Sequence, residues 1–407
     1  MNADNETLPR SINRTQRLAA LVGIVAIAVC ALGGLADPPQ FFRAYLASYM
    51  FYLGLPLGAM VLVMIYHLTG GAWGYVMRWP LESAMRTLPG CAIAFLPIAL
   101  GASYLYLWAQ PDTVAADPEL QKKTFYLTLP LYWARMAGFF ALWVIVATLL
   151  ARWSRKQEET GEQRYATWLT NLSGPGLLAY GVAMNFASID WLMSLQPAFH
   201  STIFGPLVAT GHILSAFCVA TIVVCAFAHR GPLGELISEK VLNDIGSLMF
   251  AFVIIWAYMN WFQFMLIWLA NMETDVTWYK PRLGGGWQWV ALALVLLHFV
   301  VPFFLLLSRR VKRQPRVLGT IAAGVLFMHL VFLNWQVLPS FEAASLIEHW
   351  MDFVMPIGLG GLWLASYLGQ LARRPSTIVA DENRILVEHL RASDDEELAW
   401  EESLAHG

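Results

Sequence analysis

The chain alternates long apolar runs with short polar connections. A helix that crosses the hydrocarbon core of a bilayer needs about 20 predominantly apolar residues. Residues 18–371 are therefore predicted to form an all-α membrane protein with about ten transmembrane helices. The stretches that reach this length are 18–36, 41–68, 86–108, 125–151, 171–192, 203–228, 242–270, 287–307, 317–337 and 349–371.

Polar segments flank this membrane region at both ends. The N-terminal segment, 1–17, is basic and leads directly into the first apolar run. Only residues 37–39 separate that run from the next one, which favours a retained first helix over a cleaved signal peptide. The C-terminal segment, 372–407, is charged and acidic, and this composition predicts a solvated tail.

The distribution of Lys and Arg predicts the orientation of the helices, because cytoplasmic loops carry an excess of both residues. The cations concentrate in the segments 152–164 and 309–316, which follow the fourth and the eighth predicted helices. Both termini are therefore predicted to be cytoplasmic. The loops on the opposite side carry far fewer cations, namely Lys122, Lys123, Lys280 and Arg282.

Composition strengthens the membrane assignment and argues against several functions. Only 13% of the residues are charged, whereas a soluble domain carries about 25%. The net charge of −2 gives no reason to expect nucleic acid as a partner. The four cysteines lie singly in apolar runs without a CxxC pair, so an iron–sulfur cluster is not indicated. We therefore expect no redox cofactor in this chain.

Two ionisable residues of opposite charge fall inside adjacent predicted helices. Arg135 lies in the fourth helix and Asp190 lies near the end of the fifth. An ionisable group in hydrocarbon costs about 2.5–3.5 kcal/mol on insertion scales, so each such residue is a functional hypothesis. A structural ion pair would explain both residues, and a gating or proton-relay role is the alternative.

Three histidines are predicted to lie deep in the membrane: His212, His298 and His329. A rise of about 1.5 Å per residue brings His298 and His329 to similar depths on the eighth and ninth helices. Two imidazoles at one depth can ligate a b-type haem. Interior histidines that form hydrogen bonds are the simpler interpretation, and a proton shuttle stays open because free imidazole titrates near pH ~6.5.

The seventh predicted helix carries an amide-rich face. Trp256, Asn260, Gln263, Ile267 and Asn271 recur at helical spacing and so share one side of the helix. Amide groups need partners in a lipid environment, which predicts that this face points into the helix bundle.

Hydrogen bonds between helices would explain this polar face. The alternative is a hydrated path of water and polar side chains that conducts protons. Tyr258 lies close to the amides, and Asp244 lies near the cytoplasmic start of the same helix. The candidates for a proton path over the whole chain are Arg135, Asp190, His212, Asp244, Tyr258, Asn260, Gln263, His298 and His329.

A weak internal similarity links the fifth and ninth helices, which end in Ile189-Asp190-Trp191-Leu192 and Leu333-Asn334-Trp335-Gln336. The two segments are four helices apart. That spacing would suit two four-helix bundles, formed by helices two to five and six to nine and built from one duplicated unit. Chance similarity explains the two segments equally well.

Several aromatic-rich segments resemble one family. The resemblance is to the F subunit of bacterial alternative complex III, a quinol:electron-acceptor oxidoreductase. The order of the segments and the count of ten helices extend it over most of the chain. The segments are SIDWLMSLQP and HSTIFG in 188–205, NDIGSLMF and WAYMNWFQ in 243–263, and ETDVTWY in 273–279.

This resemblance implies a fold, a location and a set of partners. The family is similar to polysulfide-reductase-type membrane subunits, which pack two four-helix bundles with flanking helices in the bacterial inner membrane. The implied partners are a quinol-binding membrane subunit, an iron–sulfur subunit and a multihaem cytochrome c, with a terminal oxidase as a further partner. The iron–sulfur clusters and haem c would lie in those subunits, while the F subunit would be cofactor-free and would contribute a proton path.

Two other functions remain open. A quinone-binding membrane anchor needs an apolar slot with a proton acceptor, which Asp190 and Trp191, with His212 nearby, would supply. A stand-alone secondary transporter needs broken helices around a substrate site at the middle of the membrane. Pro97, Pro130 and Pro206 are candidate breaks, although no paired interruption stands out.

Overall fold

The computed structural model describes residues 4–228, 234, 236–341 and 349–373. Within these ranges all regular secondary structure is helical. This confirms the predicted all-α, multi-pass membrane fold. Nine of the described helices are long and apolar enough to cross a membrane: Ile12–Ala36, Pro38–Thr69, Ala72–Leu100, Leu129–Thr160, Phe204–Phe227, Glu239–Ala270, Trp287–Leu307, Pro315–Ser340 and Trp350–Leu371.

Shorter helical pieces connect or divide these spans. A π-helix, Leu294–Val300, interrupts the span between α14 and α15, and the predicted acidic tail lies outside the described residues from position 374 onward. In chain order the α-helices are α1 (Asp4–Ala36), α2 (Pro38–Thr69), α3 (Ala72–Met85), α4 (Leu88–Ala94), α5 (Leu96–Leu100), α6 (Ala102–Leu105), α7 (Pro111–Ala116), α8 (Pro118–Lys122), α9 (Leu129–Thr160), α10 (Gln163–Trp191), α11 (Phe204–Phe227), α12 (Glu239–Ala270), α13 (Glu273–Tyr279), α14 (Trp287–Ala293), α15 (Val301–Leu307), α16 (Arg309–Arg313), α17 (Pro315–Val337) and α18 (Trp350–Leu371).

The fifth predicted span, 171–192, is not among these nine and corresponds to α10. This helix has 29 residues, and at about 1.5 Å per residue it is long enough to cross the hydrocarbon core. Asn171, Pro175 and Asn185 make it less apolar than the nine other spans. It packs along α9, α11 and α2, and its buried polar residues are Ser173, Ser188 and Asp190, whereas Asn171 is exposed.

The third span begins earlier than the hydrophobic pattern predicts. The pattern favours 86–108, yet α3 starts directly after a turn at Gly70 and Gly71, whose φ angles are 69° and 99°. Both angles lie in the left-handed region that favours glycine. Arg78 and Glu82 lower the apolarity of α3, and they are tolerated because they form an ion pair within the helix.

The packing of the helices agrees with two four-helix bundles. In one, α2 packs on α3 and α10, and α9 packs on α10 and α4. In the other, α11 packs on α12 and α17, and the π-helix packs on α17. The bundles meet where α2 lies against α11, while α1 and α18 form a flanking pair beside α2.

Glycines on α2 allow the two bundles to approach closely. Gly54 and Gly58 lie one turn apart and face α11 at His212. A Cβ atom on Gly58 would overlap the backbone carbonyl of His212, and one on Gly54 would lie 2.5 Å from the Cδ2 atom of the same imidazole. Small residues four positions apart are a common contact between membrane helices, because they let the backbones approach.

The flanking pair uses a similar glycine contact. A Cβ atom on Gly23 of α1 would lie 2.7 Å from the backbone nitrogen of Leu362 and 2.9 Å from the carbonyl oxygen of Gly358 in α18. The other faces of α1 carry exposed apolar side chains such as Leu32 and Leu35. Thus α1 contacts the protein along one narrow side and is suited to lipid on the others.

Candidate functional site

Three buried histidines come together at the junction of the two bundles. His212 lies on α11, His298 on the π-helix and His329 on α17. The ring centres of His298 and His329 are 5.7 Å apart, which confirms that they lie at similar depths. Gly211, the neighbour of His212, lies directly against the His329 ring. We call these three residues the histidine cluster.

The polar atoms of the histidine cluster have few protein partners. The three residues are 1%, 0% and 2% exposed, in chain order. Within the described part of the chain, both ring nitrogens of His212, both of His298 and Nδ1 of His329 have no hydrogen-bond partner. A buried polar group without a partner costs about 1–3 kcal/mol. A residue retained at that cost is a candidate for a functional role.

Aromatic side chains surround the histidine cluster. The Trp256 ring lies 4.0 Å from the His298 ring, and Phe332 lies 5.6 Å from His329. His298 also belongs to a π-helix, and single π-turns inside α-helices often mark functional sites. His298 points inward toward α17, and Leu294, Pro302 and Leu306 of the same span are buried with it.

The pair His298 and His329 does not form the slot that a b-type haem needs. Trp256 and Phe332 pack against the imidazoles and occupy the space beside them that a porphyrin would need. Neither histidine lines the open cavity nearby. No group of three or more His, Cys, Asp or Glu residues in the described ranges is arranged to hold a metal ion.

The amide-rich face of α12 points inward, as its spacing predicts. Trp256, Gln263 and Ile267 are buried. The Gln263 amide lies 3.5 Å from the Tyr279 hydroxyl and 3.5 Å from the Ser201 hydroxyl, so it links α12 to two connections at one end of the bundle.

Other positions of α12 behave differently. The Asn260 amide donates to the Trp256 carbonyl at 2.8 Å, within its own helix. Asn271 is exposed and ends the helix in the left-handed conformation, with a φ of 47°. Tyr258 is 58% exposed and lies on the protein surface rather than beside Gln263. Only part of the predicted polar track therefore lies in the interior.

Arg135 and Asp190 form the predicted ion pair. The Asp190 carboxylate is fully buried and accepts two hydrogen bonds from Arg135, from Nε at 2.7 Å and from Nη2 at 3.0 Å. The guanidinium also donates to the Tyr126 carbonyl at 2.9 Å and lies 3.8 Å from the centre of the Tyr126 ring. A carboxylate held in this bidentate geometry is well suited to fasten α9 to α10.

Asp244 lies at the end of the bundle that carries the cationic segments, which we call the basic end. Nearby, Lys312 of α16 donates to the Ser247 hydroxyl at 2.9 Å. Burial lowers the pKa of Lys312, and Arg309 lowers it further, while the Asp244 carboxylate opposes the shift. Asp244 and Trp256 are separated along α12 by roughly 18 Å at the normal helical rise, so Asp244 is well removed from the histidine cluster.

A second charged cluster at the basic end is not indicated by the hydrophobic pattern. Glu82 is 1% exposed and lies 2.9 Å from Arg78 and 3.7 Å from Arg86. Ser154 of α9 donates to Glu82 at 2.5 Å and accepts from Arg78 at 2.7 Å. The only signal in the sequence is the spacing of four between Arg78 and Glu82, which suits an ion pair on a helix.

Arg282 lies between α13 and α14 and is fully buried. Its guanidinium donates to the carbonyl of Trp278 at 2.5 Å, to the carbonyl of Gln336 and to the Ser340 hydroxyl at 2.7 Å. It also stacks 3.4 Å from the centre of the Trp278 ring. Arg282 thus fastens this connection to the end of α17, although its position among loop cations gives no sign of such burial.

A cavity of about 570 Å³ lies between α12, α14, the π-helix and α17. Its volume falls in the range of about 300–1,000 Å³ that is typical of ligand sites. Trp256 forms part of its wall and stands between the cavity and His298. Asp190, Trp191 and His212, the residues expected for a quinone slot, are not among its lining residues.

No family model matches the chain, and a search of the curated proteins finds no significant match. The function is therefore inferred from the geometry of the site and from the resemblance of the aromatic segments.

Proposed function

We propose that this chain is a cofactor-free membrane subunit of a quinol-oxidising complex of the alternative complex III type, and that it conducts protons through the histidine cluster. The bacterial inner membrane, cytoplasmic termini and the cytochrome, iron–sulfur and quinol-binding partners belong to this proposal. The observation that supports it most is the group of three buried histidines, five of whose six ring nitrogens have no hydrogen-bond partner in the described chain.

The chemistry of imidazole supports a role in proton transfer. A neutral imidazole accepts a proton at one nitrogen and donates from the other, so neighbouring rings can pass a proton onward. The amides of Asn260 and Gln263 can orient water but cannot themselves be protonated at neutral pH.

Polar groups above and below the histidine cluster support two half-paths. Toward the basic end, α12 carries Ser247 and Asp244 beside Lys312. Toward the other end, Gln263 lies near Ser201 and Tyr279. Gln263 and Trp256 are roughly 11 Å apart along α12, so each half-path needs intervening water.

Proton release by the native complex tests this function. His298→Gln and His329→Gln each remove a titratable ring, so each variant should lower the number of protons released per electron while the complex still assembles. His200→Gln is the matched control, because His200 is exposed and contacts Lys123 at a loop. An unchanged ratio in both cluster variants would contradict proton conduction.

Purification of the tagged chain tests membership of a complex. We expect it to co-purify with cytochrome c and iron–sulfur subunits, and the detergent extract to show their haem absorption. A chain that is stable alone, carries no cytochrome and binds a small polar solute would instead be a secondary transporter. That result would refute the assignment to a quinol-oxidising complex.

A further inference from the structure

The two cationic segments at the basic end differ in how their charge is balanced. Segment 152–164 has four cations and three carboxylates. Two of its exposed arginines, Arg155 and Arg164, each lie within 2.6 Å of a carboxylate of the same segment. Segment 309–316 has five cations and no carboxylate. We call it the basic α16 segment, because α16 forms most of it.

Two cations of the basic α16 segment face the protein. The stem of Lys312 packs against Gly246 of α12, and its ammonium group donates to the Ser247 hydroxyl at 2.9 Å. Arg313 lies 4.0 Å from the Glu239 carboxylate. These contacts hold α16 against the first turns of α12, so the remaining cations of the segment are carried by an anchored helix and its flanks.

The other cations of the segment lie at the surface. Arg309, Arg310 and Arg316 are all exposed. Within the part of the chain that the structure describes, no hydrogen bond or ion pair engages the guanidinium of Arg310 or of Arg316. A guanidinium with unused donors binds phosphate through charge-assisted, bidentate hydrogen bonds. This surface is therefore suited to a ligand that carries a phosphate group.

An exposed apolar face leads directly to these arginines. Phe304 and Leu307 of α15 are 66% and 52% exposed, and Leu307 precedes Arg310 by three residues. Both apolar residues belong to the span Trp287–Leu307, which is long and apolar enough to cross a membrane. A soluble phosphate compound or an acidic peptide would use the cations alone, whereas a phospholipid would contact the cations and the apolar face together.

We propose that the basic α16 segment binds an anionic phospholipid, with the phosphodiester at Arg310 and Arg316 and the acyl chains along the exposed side of α15. Clusters of about four to eight Lys and Arg beside a membrane helix bind acidic lipids, and each cation near the surface strengthens this binding about fivefold. The carboxylates within segment 152–164 make that segment the weaker site. The proposal goes beyond the proposed function, because it requires neither proton conduction nor partner subunits.

Native mass spectrometry of the full-length chain in detergent tests this site. The chain is titrated with phosphatidylglycerol, and separately with phosphatidylcholine, a zwitterionic lipid, carrying the same acyl chains. We expect phosphatidylglycerol to bind about tenfold more tightly, because only this lipid brings a net negative charge to the arginines. Equal affinity for the two lipids would refute the proposal.

Three double variants locate the binding. Arg310→Gln with Arg316→Gln removes both unpaired cations and should weaken phosphatidylglycerol binding about tenfold to thirtyfold. Arg310→Lys with Arg316→Lys keeps both charges and should retain most of the affinity. Arg155→Gln with Arg164→Gln is the matched control, because carboxylates already neutralise these arginines; it should stay within about twofold of the original affinity. Equal losses in the two Gln variants would show that only net charge matters and would overturn the site.

Two further measurements separate a lipid from other occupants. Glycerophosphoglycerol carries the same phosphodiester without acyl chains, and we expect it to displace phosphatidylglycerol only weakly; displacement at equal concentration would identify a site for soluble phosphate compounds. In native membranes, a photoreactive phosphatidylglycerol should label peptides from α15 and α16. If these peptides stay unlabelled although the isolated chain binds the lipid, a protein partner covers the surface. Either of these contrary results would overturn the proposal.

Discussion

The ion pair between Arg135 and Asp190 predicts an asymmetric response to mutation. Arg135→Met leaves a fully buried carboxylate without its cation. Removing one partner of a buried pair costs about 3–5 kcal/mol, because the remaining charge stays desolvated. We therefore expect Arg135→Met to lower the free energy of unfolding by this amount.

Asp190→Asn should cost less than Arg135→Met. The guanidinium of Arg135 is 19% exposed and keeps the carbonyl and the ring of Tyr126 as partners. The main loss is then the charge-assisted hydrogen bonding, which is worth about 1.5–3 kcal/mol. In the double variant neither charge is left in the protein, so its loss should be smaller than the sum of the two single losses.

A double-mutant cycle in detergent micelles measures this coupling. The free energy of unfolding is determined for the original chain, for both single variants and for the double variant. A coupling energy of about 1.5–3 kcal/mol would support the ion pair as a structural element between α9 and α10. Additive losses within about 0.5 kcal/mol, or a larger loss for Asp190→Asn than for Arg135→Met, would refute the reasoning.

The same unfolding measurement checks two further predictions, and limited proteolysis checks a third. Gly58→Ala should destabilise by about 1–3 kcal/mol because the methyl group meets the backbone of α11, whereas Gly138→Ala, which meets nothing within 4 Å, should gain up to ~1 kcal/mol; equal effects would contradict the close contact. Glu82→Gln should cost about 1.5–3 kcal/mol, because Arg78 keeps Glu158 at 3.3 Å, while Glu119→Gln, at the exposed pair with Lys122, should change stability by less than ~1 kcal/mol. Arg282→Lys keeps the charge but loses the planar fork, so proteolysis after α13 should become faster; an unchanged cleavage rate would show that these bonds do not fasten the connection.

The sequence predicts the features that depend on a single helix. The inward face of α12 follows from the spacing of Trp256, Gln263 and Ile267, and the similar depth of His298 and His329 follows from the helical rise. The early start of α3 cannot be predicted from hydropathy, because a hydropathy scale counts Arg78 as unfavourable even where the Glu82 carboxylate neutralises its charge.

Features that depend on the packing of several helices cannot be predicted from the pattern of any one helix. His212 joins the histidine cluster only because Gly54, Gly58 and Gly211 let three helices approach. The cavity is formed by four separate elements and requires a π-helix, for which 287–307 gives no sequence signal. Proton conduction and membership of a complex of the alternative complex III type remain predictions, and the proposed experiments test them.

The contact between α1 and α18 has a consequence for biogenesis. Gly23 faces Gly358 and Gly361, so its partner surface is synthesised only near the end of the described chain. Until then α1 has only α2 as a neighbour, and its mean hydropathy of 2.6 suits its remaining faces to lipid. Translation arrested before α18 would leave a bare glycine groove facing the lipid, where a foreign helix could dock or a quality-control protease could engage the unfinished protein.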